Sequence, residues 1–202
     1  MESYVGDRLP NESIYQITWP TKTEDRIEFD YCFMKVEAHI IACTLAIHSL
    51  ADNLAHVAYF ALGINLKEHS LPEHQVTLDS VIKVVTLHDA SAACVVASLA
   101  RLREEPAFQV VEAFVNVAKH RGFQETRIGV EPPDDHALYQ LEFGAFAYRD
   151  KKHPDQSIKG VLQPSYEAAS RAVVDCGNAI NALLSTSPPS DEIRSVQDFA
   201  NS

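Results

Sequence analysis

The longest hydrophobic pattern in the chain begins near Glu24 and ends near Leu62. Its apolar positions alternate spacings of four and three residues, as the seam of a coiled coil does. These positions are Phe29, Phe33, Val36, Ile40, Cys43, Ile47, Leu50, Leu54, Val57 and Ala61. The pattern predicts one very long first helix that buries this seam.

Two further helical segments follow the first. The second runs from Thr77 to about Glu105 and has a break near His88. The third begins at Pro106, whose missing N–H needs no partner in a first turn. It ends before Gly122, which suits the left-handed conformation that commonly follows a helix. The sequence therefore predicts a helix over residues 106–121.

The hydrophobic period changes to two residues after Glu125, which is typical of β-strands. We predict a β-hairpin with a Pro-Pro-Asp-Asp turn, a third short strand around residues 158–162, and a last helix from about Pro164 to Leu184. The predicted fold class is mainly α. It is an antiparallel bundle of about four helices, with one very long first helix and a small β-hairpin inserted before the last helix.

The chain length of 202 residues suits one domain. We predict an N-terminal arm over residues 1–23, with a short extended segment from Ile14 to Trp19. A single helical-bundle domain follows over residues 24–186, with its hairpin at about residues 125–162. Residues 187–202 are predicted to form a polar C-terminal tail.

The charge of the chain is strongly acidic, with 28 Asp and Glu against 17 Lys and Arg and a net charge of -11. This balance argues against non-specific attraction to nucleic acid or anionic lipid, which depends on cations that displace counterions. The middle of the chain differs, because residues 101–159 hold nine Lys or Arg against ten Asp or Glu. An anion-binding surface is therefore expected in that region.

The cysteines and the N-terminus indicate a compartment. Cys32, Cys43, Cys94 and Cys176 form no Cys-x-x-Cys pair and lie in apolar helical patterns, which indicates buried, reduced thiols. The N-terminus lacks a basic region before an apolar stretch, and no run approaches the roughly 18 apolar residues of a membrane span. We expect a cytoplasmic protein without membrane contact. Without a P-loop or a G-x-G-x-x-G motif, we also expect no cofactor.

A polar cluster closes the third predicted helix. Its members are Asn116, Lys119, His120 and Arg121. One interpretation is structural, since cations near a helix C-terminus meet the negative end of the helix dipole, but it explains an Asn inside an apolar helix poorly. The other interpretation is a pocket for phosphate or carboxylate. The residues that could join it from the hairpin are Arg127, Arg149, Lys151, Lys152 and His153.

A metal site is the competing chemistry. His48, Asp52 and His56 follow one another at intervals of four residues on the long helix, a spacing by which one helical face can offer metal ligands. The predicted seam would place them on the outer face, where a solvated polar surface explains them. His88-Asp89 matches the dipeptide of helical metal-dependent phosphohydrolases, but Asp89 also suits a helix cap. We expect no bound metal, with a metal-dependent hydrolase as an alternative.

The helical plan resembles the HEPN (higher eukaryotes and prokaryotes nucleotide-binding) superfamily over about residues 24–186. The likeness includes the ending Asn116-Val-Ala-Lys-His-Arg121, followed by strands and a final helix. Enzymatic members of that superfamily are metal-independent RNases, often dimeric and often toxins or defence proteins. Their signature is an Arg, a polar residue and a His. Arg149, Asp150 and His153 match it in part, with one residue fewer between Arg and His than the shortest spacing in the family.

This resemblance implies a function as well as a fold. The expected protein is a HEPN-like binding or interaction module that contacts RNA or a nucleotide and forms a homodimer. If the protein is an enzyme, a metal-independent RNase-like activity is the first expectation. The alternatives are the metal-dependent hydrolase and a purely structural, self-associating protein.

Overall fold

The structure is a computed structural model that describes residues 2–8, 13–122, 125–130 and 139–186. These residues are mainly helical, and their strands lie between residues 126 and 157, before the last helix. The mainly α fold class is therefore confirmed, as is the position of the strands. The C-terminal tail predicted at 187–202 lies outside the described residues.

The described residues belong to two compact units. Unit 1 comprises residues 1–50 and 105–167, and unit 2 comprises residues 51–104 and 168–202, in each case where the structure describes them. Two long helices pass from one unit into the other. The predicted division into arm, domain and tail stays a prediction.

The N-terminal segment of unit 1 is helical. Helix α1 spans Glu2–Arg8 and helix α2 spans Ile14–Thr18. The extended segment predicted at Ile14 to Trp19 is therefore wrong. Ser13 accounts for the difference, because its Oγ accepts the N–H of Gln16 at 3.3 Å while Gln16 Oε1 accepts the N–H of Ser13 at 2.8 Å. This reciprocal capping box begins a helix that pattern alone does not reveal.

Helix α3 spans Thr23–Ala61 and confirms the very long first helix. The predicted seam is only partly correct, because Cys43 and Val57 are exposed. Thr44 and Ala58, one position later, are fully buried. A straight α-helix has 3.6 residues per turn and drifts by about 20° per heptad from a 3.5-residue repeat. The buried stripe therefore leaves the predicted positions as the helix proceeds.

Helix α3 also bears on membrane contact. Among the described residues it is the one helix long and apolar enough to cross a membrane, by length and composition. About 33% of the relevant window is buried, and a core helix of a soluble protein passes the same test. The absence of membrane contact therefore stays a prediction.

Unit 2 continues from α3 with short helices. Helix α4 ends at His88, and the helical run resumes through a 3-10 turn, so the predicted break is confirmed. Arg101 pairs with Asp175 at 3.2 Å and ties this run to the last helix. The elements are 3-10 turns at Ile64–Leu66, Glu73–Gln75 and Ala90–Ala92, helix α4 at Leu78–His88 and helix α5 at Ala93–Glu104.

The four thiols are free, but their environments differ. Cys176 is buried and Cys32 is half-buried, whereas Cys43 and Cys94 are exposed. The expectation of four buried thiols is therefore wrong for two of them. Burial raises the pKa of Cys176 to about 11, so this thiol stays protonated at neutral pH.

Helix α6 spans Pro106–Arg121, as predicted. Glu105 Oε1 accepts the N–H of Ala107 at 3.4 Å at the start of the helix. Gly122 has φ 93°, a conformation that side chains disfavour. The buried residues Phe108, Val111, Phe114 and Val115 give the helix its core face.

The described residues after α6 form five strands. They are β1 (Thr126–Val130), β2 (Tyr139–Phe143), β3 (Phe146–Tyr148), β4 (Lys151–His153) and β5 (Gln156–Ser157). One antiparallel sheet has the order β1-β2-β5, and a separate antiparallel hairpin pairs β3 with β4. The predicted β-hairpin is confirmed as β1–β2, while its Pro-Pro-Asp-Asp turn lies outside the described residues.

Helix α7 spans Ile158–Thr186 and begins before its predicted start at Pro164. The strand predicted at residues 158–162 is therefore wrong, because the third strand, β5, ends at Ser157. Ser157 Oγ accepts the N–H of Gly160 at 3.3 Å and caps the helix. Pro164 lies inside α7, where its missing N–H interrupts the helical hydrogen bonds without ending the helix.

We predict that adjacent positions on α3 differ sharply in tolerance of charge. Thr44→Asp should lower the free energy of unfolding by about 3 kcal/mol, because it buries an unpaired carboxylate. Cys43→Asp, on the exposed side, should cost less than about 1 kcal/mol. Urea unfolding of both variants measures the difference. Equal costs would show that the buried face of α3 is assigned incorrectly.

Candidate functional site: a cationic surface on unit 1

An aromatic cluster docks the β3–β4 hairpin on α6. The Phe114 ring lies 4.6 Å from the Phe143 ring and 6.0 Å from the Phe146 ring, between centroids. The Phe146 ring in turn stacks on His153 at 4.6 Å and 8°. The rings are large apolar surfaces, and all four side chains are buried. This cluster fixes where the charged tip of the hairpin lies relative to α6.

The tip of this hairpin is a two-residue loop. Tyr148 pairs with Lys151, so that Arg149 and Asp150 form the turn. Arg149 has φ 53°, the one positive φ among the described residues other than glycine. Tight hairpins require positive φ because that twist matches the twist of the strands. An L-residue in this conformation costs roughly 1–2 kcal/mol, so the loop holds its arginine under backbone strain.

The turn and the residues that follow it carry three cations. Lys151 and Lys152 are exposed and follow it directly, while the Arg149 guanidinium lies 5.1 Å from the centre of the Tyr148 ring. Successive strand residues point to opposite faces, so the two lysines project to different sides of the hairpin. Asp150 is the opposing charge. The loop therefore presents three cations and one anion to solvent.

His153, which we expected at the polar site, is buried in the aromatic cluster. Its side chain is 4% exposed and stacked on Phe146. Burial lowers the pKa of His153, and the charge of Lys151 lowers it further. The neutral imidazole therefore belongs to the aromatic cluster. It is brought close to α6, but it does not share the solvent-facing surface of Arg149.

The polar cluster at the end of α6 divides into two parts. Asn116 is half-buried, and its Nδ2 donates to the Glu112 carbonyl at 2.9 Å, which accounts for an amide inside the helix. Lys119 and His120 are exposed at the last turn of the helix. Arg121 ends the helix, and its side chain lies outside the described part. Lys119 and His120 are thus the accessible polar groups described here.

The elements that carry these cations pack together within unit 1. Helix α6 contacts strand β3. Lys119 and His120 come five and six residues after Phe114, and Arg149 comes three residues after Phe146. Both sets therefore extend from the same aromatic contact. Unit 1 of this acidic chain therefore carries exposed cations both on α6 and on the hairpin that packs against it.

Arg127, a further predicted member, is already paired. Its guanidinium contacts Glu125 at 2.8 Å and Asp155 at 3.7 Å. Glu125 raises the pKa of Arg127, first through a hydrogen bond and then through its charge. Asp155 also accepts the N–H of Ala145 at 2.6 Å. We therefore leave Arg127 outside the cationic surface.

The metal-site candidates on α3 make other contacts. The ring Nδ1 of His56 donates to the Asp52 carbonyl at 2.9 Å, and His48 is half-buried. Within the ranges that the structure describes, no group of three His, Cys, Asp or Glu side chains gathers as a metal site would require. The arrangement of His48, Asp52 and His56 therefore gives no support to the metal-dependent hydrolase.

His88 and Asp89 are similarly engaged. The His88 ring stacks on His69, with 3.7 Å between centroids. Asp89 accepts a hydrogen bond from the Ser91 hydroxyl and pairs with Lys67 at 3.1 Å. These contacts, with Ser91 the larger cause, lower the pKa of Asp89. The dipeptide thus joins two helices and a loop of unit 2.

A cleft of about 630 Å³ is the feature that the sequence missed. It lies beside β2, β5 and the first turns of α7, and is lined by Tyr139, Gln140, Leu141, Ser157, Ile158, Lys159, Leu162 and Gln163. Pairing of β2 with β5 ends at Glu142 and Ser157, where α7 replaces the strand. The predicted strand at 158–162 would have covered this edge. Ser157, three residues before Gly160, was the available signal for the earlier helix start.

No protein-family model matches the sequence, and no curated protein or solved structure matches the chain.

We predict that His153→Phe reduces the loss of stability in acid. Because the pKa of His153 is lowered in the folded state, the unfolded chain binds a proton at this residue more readily. The stability that the buried neutral ring contributes is therefore complete above about pH 6.5 and is lost as the pH falls below that value. Phe keeps the ring stacking and removes the titration. Urea unfolding at about pH 8 and about pH 5 should show the variant gaining on the wild type in acid. A difference that is the same at both pH values would contradict the assignment.

Proposed function

We propose that the protein is a HEPN-like helical binding module that contacts RNA or nucleotide phosphates through a cationic surface. This surface consists of Lys119, His120, Arg149 and Lys151, the last of which shares the face of β4 that carries His153. The strained backbone of Arg149 carries the proposal. We also propose that the helices form an antiparallel four-helix bundle and that the protein is cytoplasmic.

Backbone strain at Arg149 supports a role for its side chain. Glycine would occupy this turn position without the steric cost that arginine bears. Strained residues cluster at binding and catalytic sites, so an observed outlier motivates a functional hypothesis. The planar guanidinium can donate two parallel hydrogen bonds to phosphate. An arginine at an exposed tip is therefore suited to an anionic ligand.

The electrostatics restrict the ligand to few phosphate contacts. With a net charge of -11, the chain as a whole repels a long polyanion. The exposed Lys119, Arg149 and Lys151 provide a local exception. We expect a short single strand or a nucleotide, with a shallow dependence of affinity on salt.

Binding without cleavage is the form of the proposal. An acid–base residue must come within hydrogen-bond reach of the reacting proton. His153 is buried against Phe146, so it is poorly placed for that role, and His120 is the imidazole that the described part of the surface offers. The RNase-like alternative would therefore depend on His120.

We predict that Arg149→Gly separates binding from stability. Relief of roughly 1–2 kcal/mol of strain is offset by the greater entropy of glycine in the unfolded chain, so stability should rise by about 0.5 kcal/mol. Affinity for a short fluorescent single-stranded RNA should fall. The slope of log affinity against log salt should become shallower by about 0.7, as expected for one lost phosphate contact. Fluorescence anisotropy and urea unfolding measure the two effects.

Lys83→Gln is the control for this variant. Lys83 is an exposed cation on α4 of unit 2, so its removal changes the net charge by the same amount without altering a residue of the proposed surface. We expect little change in affinity. Equal affinities of wild type and Arg149→Gly, or equal losses in both variants, would contradict the proposed surface.

A further inference from the structure

Helix α3 carries a second apolar stripe that faces solvent. We call it the α3 stripe, and it consists of Ile27, Tyr31, Met34, Ala38, Ile41 and Leu45. Ile41 is half-buried and the other five residues are exposed, with Ile27 at 65% and Met34 at 57%. The buried residues Ile40, Thr44 and Ile47 belong to a different face. Helix α3 therefore has a second apolar face that stays exposed to solvent, apart from the face that it buries in the core.

The spacing within the α3 stripe is that of a coiled-coil seam. The intervals are four, three, four, three and four residues, so the positions fit the a and d sites of heptads. The stripe covers about 27 Å at 1.5 Å per residue. Glu24 would occupy the preceding seam position, and His48 and Asp52 the next two. Polar residues thus bound the stripe at both ends.

We propose that the α3 stripe pairs with the same stripe of a second copy of this chain, in a parallel and in-register coiled coil. Each seam residue then faces its own counterpart, and Met34 lies near the centre of the contact. Such a pairing withdraws from water the large side chains of Ile27, Tyr31, Met34 and Leu45 that a monomer exposes.

Charges beside the stripe select the parallel orientation. Asp30 precedes an a position and Lys35 follows a d position, which are the g and e sites of the heptad. In a parallel pair Asp30 faces Lys35 of the second copy, and symmetry repeats this contact. In the antiparallel pair that aligns every seam layer, Lys35 would face Lys35 and Glu37 would face Glu37. Complementary charge therefore favours the parallel form over its alternative.

Contacts within one chain already hold these two side chains beside the seam. Asp30 pairs with Arg26 at 3.1 Å, one turn earlier on α3. Lys35 Nζ lies 4.1 Å from the centre of the Tyr31 ring. Tyr31 is itself a seam residue, so the ammonium group is positioned next to the interface. The Asp30 side chain is 57% exposed, so its carboxylate can accept a second cation while it contacts Arg26.

The first test compares two substitutions at equal exposure. Met34 and Val57 are both 57% exposed and both lie on α3, but Val57 is outside the α3 stripe. Sedimentation velocity at tens of micromolar should show a wild-type dimer. We expect Met34→Glu to be monomeric and Val57→Glu to remain dimeric, with unchanged circular dichroism. A monomeric wild type, or equal behaviour of the two variants, would overturn the proposal.

The second test uses charge reversal to determine orientation. Lys35→Glu should weaken the dimer by about tenfold, because two attractive contacts become repulsive. Adding Asp30→Lys should restore most of the affinity, as the pair is then reversed. In the antiparallel form Lys35→Glu exchanges one like-charge contact for another and the second change gives no rescue. Absence of weakening and rescue would overturn the parallel arrangement.

A membrane is the other occupant to test, given the apolar length of α3. Flotation with neutral phosphatidylcholine vesicles distinguishes it from a second copy. We expect the wild type to stay in the unbound fraction as a dimer. Co-flotation that Met34→Glu abolishes and Val57→Glu preserves would assign the α3 stripe to lipid and overturn the dimer.

Discussion

The packing of Phe114 against Phe143 and Phe146 is the contact on which the strand region depends. Small two- and three-stranded sheets have little stability alone and need a hydrophobic face or a helix to pack against. Helix α6 supplies that support through Phe114. A second tie joins β1 to α3, since the Thr126 N–H donates to the Glu37 carboxylate. Burial is the larger influence on this carboxyl and raises the pKa of Glu37.

Much of the helical structure could be predicted from the sequence because its signals are local. Pro106 and Gly122 gave the ends of α6, and alternating three and four spacings gave the length of α3. The buried face of α3 could not be assigned along its full length. A heptad repeat and a straight helix diverge by about 20° per seven residues, and packing partners decide which phase is buried. Helix α7 begins after its cap at Ser157, whereas the sequence pattern predicts a start at about Pro164.

The candidate site was predicted less well than the fold. The sequence singled out Lys119, His120 and Arg149 as candidate polar groups, and all three belong to unit 1. It could not show that His153 pairs with Phe146, because strand register depends on the turn at Arg149 and Asp150. Nor could it show that Asn116 bonds the Glu112 carbonyl. The cleft beside β2 depends on where one strand stops, which hydrophobic period does not encode.

We propose, in short, that this acidic chain binds an anionic ligand through a small cationic surface on unit 1. The most direct measurement is an NMR titration of the isotope-labelled full chain with a short single-stranded RNA, following the backbone amides. We expect the shifts to concentrate at Lys119, His120 and residues 148–152 and to be small along the α3 stripe. Shifts confined to the cleft residues Tyr139–Leu141, or no shifts at low salt, would contradict it.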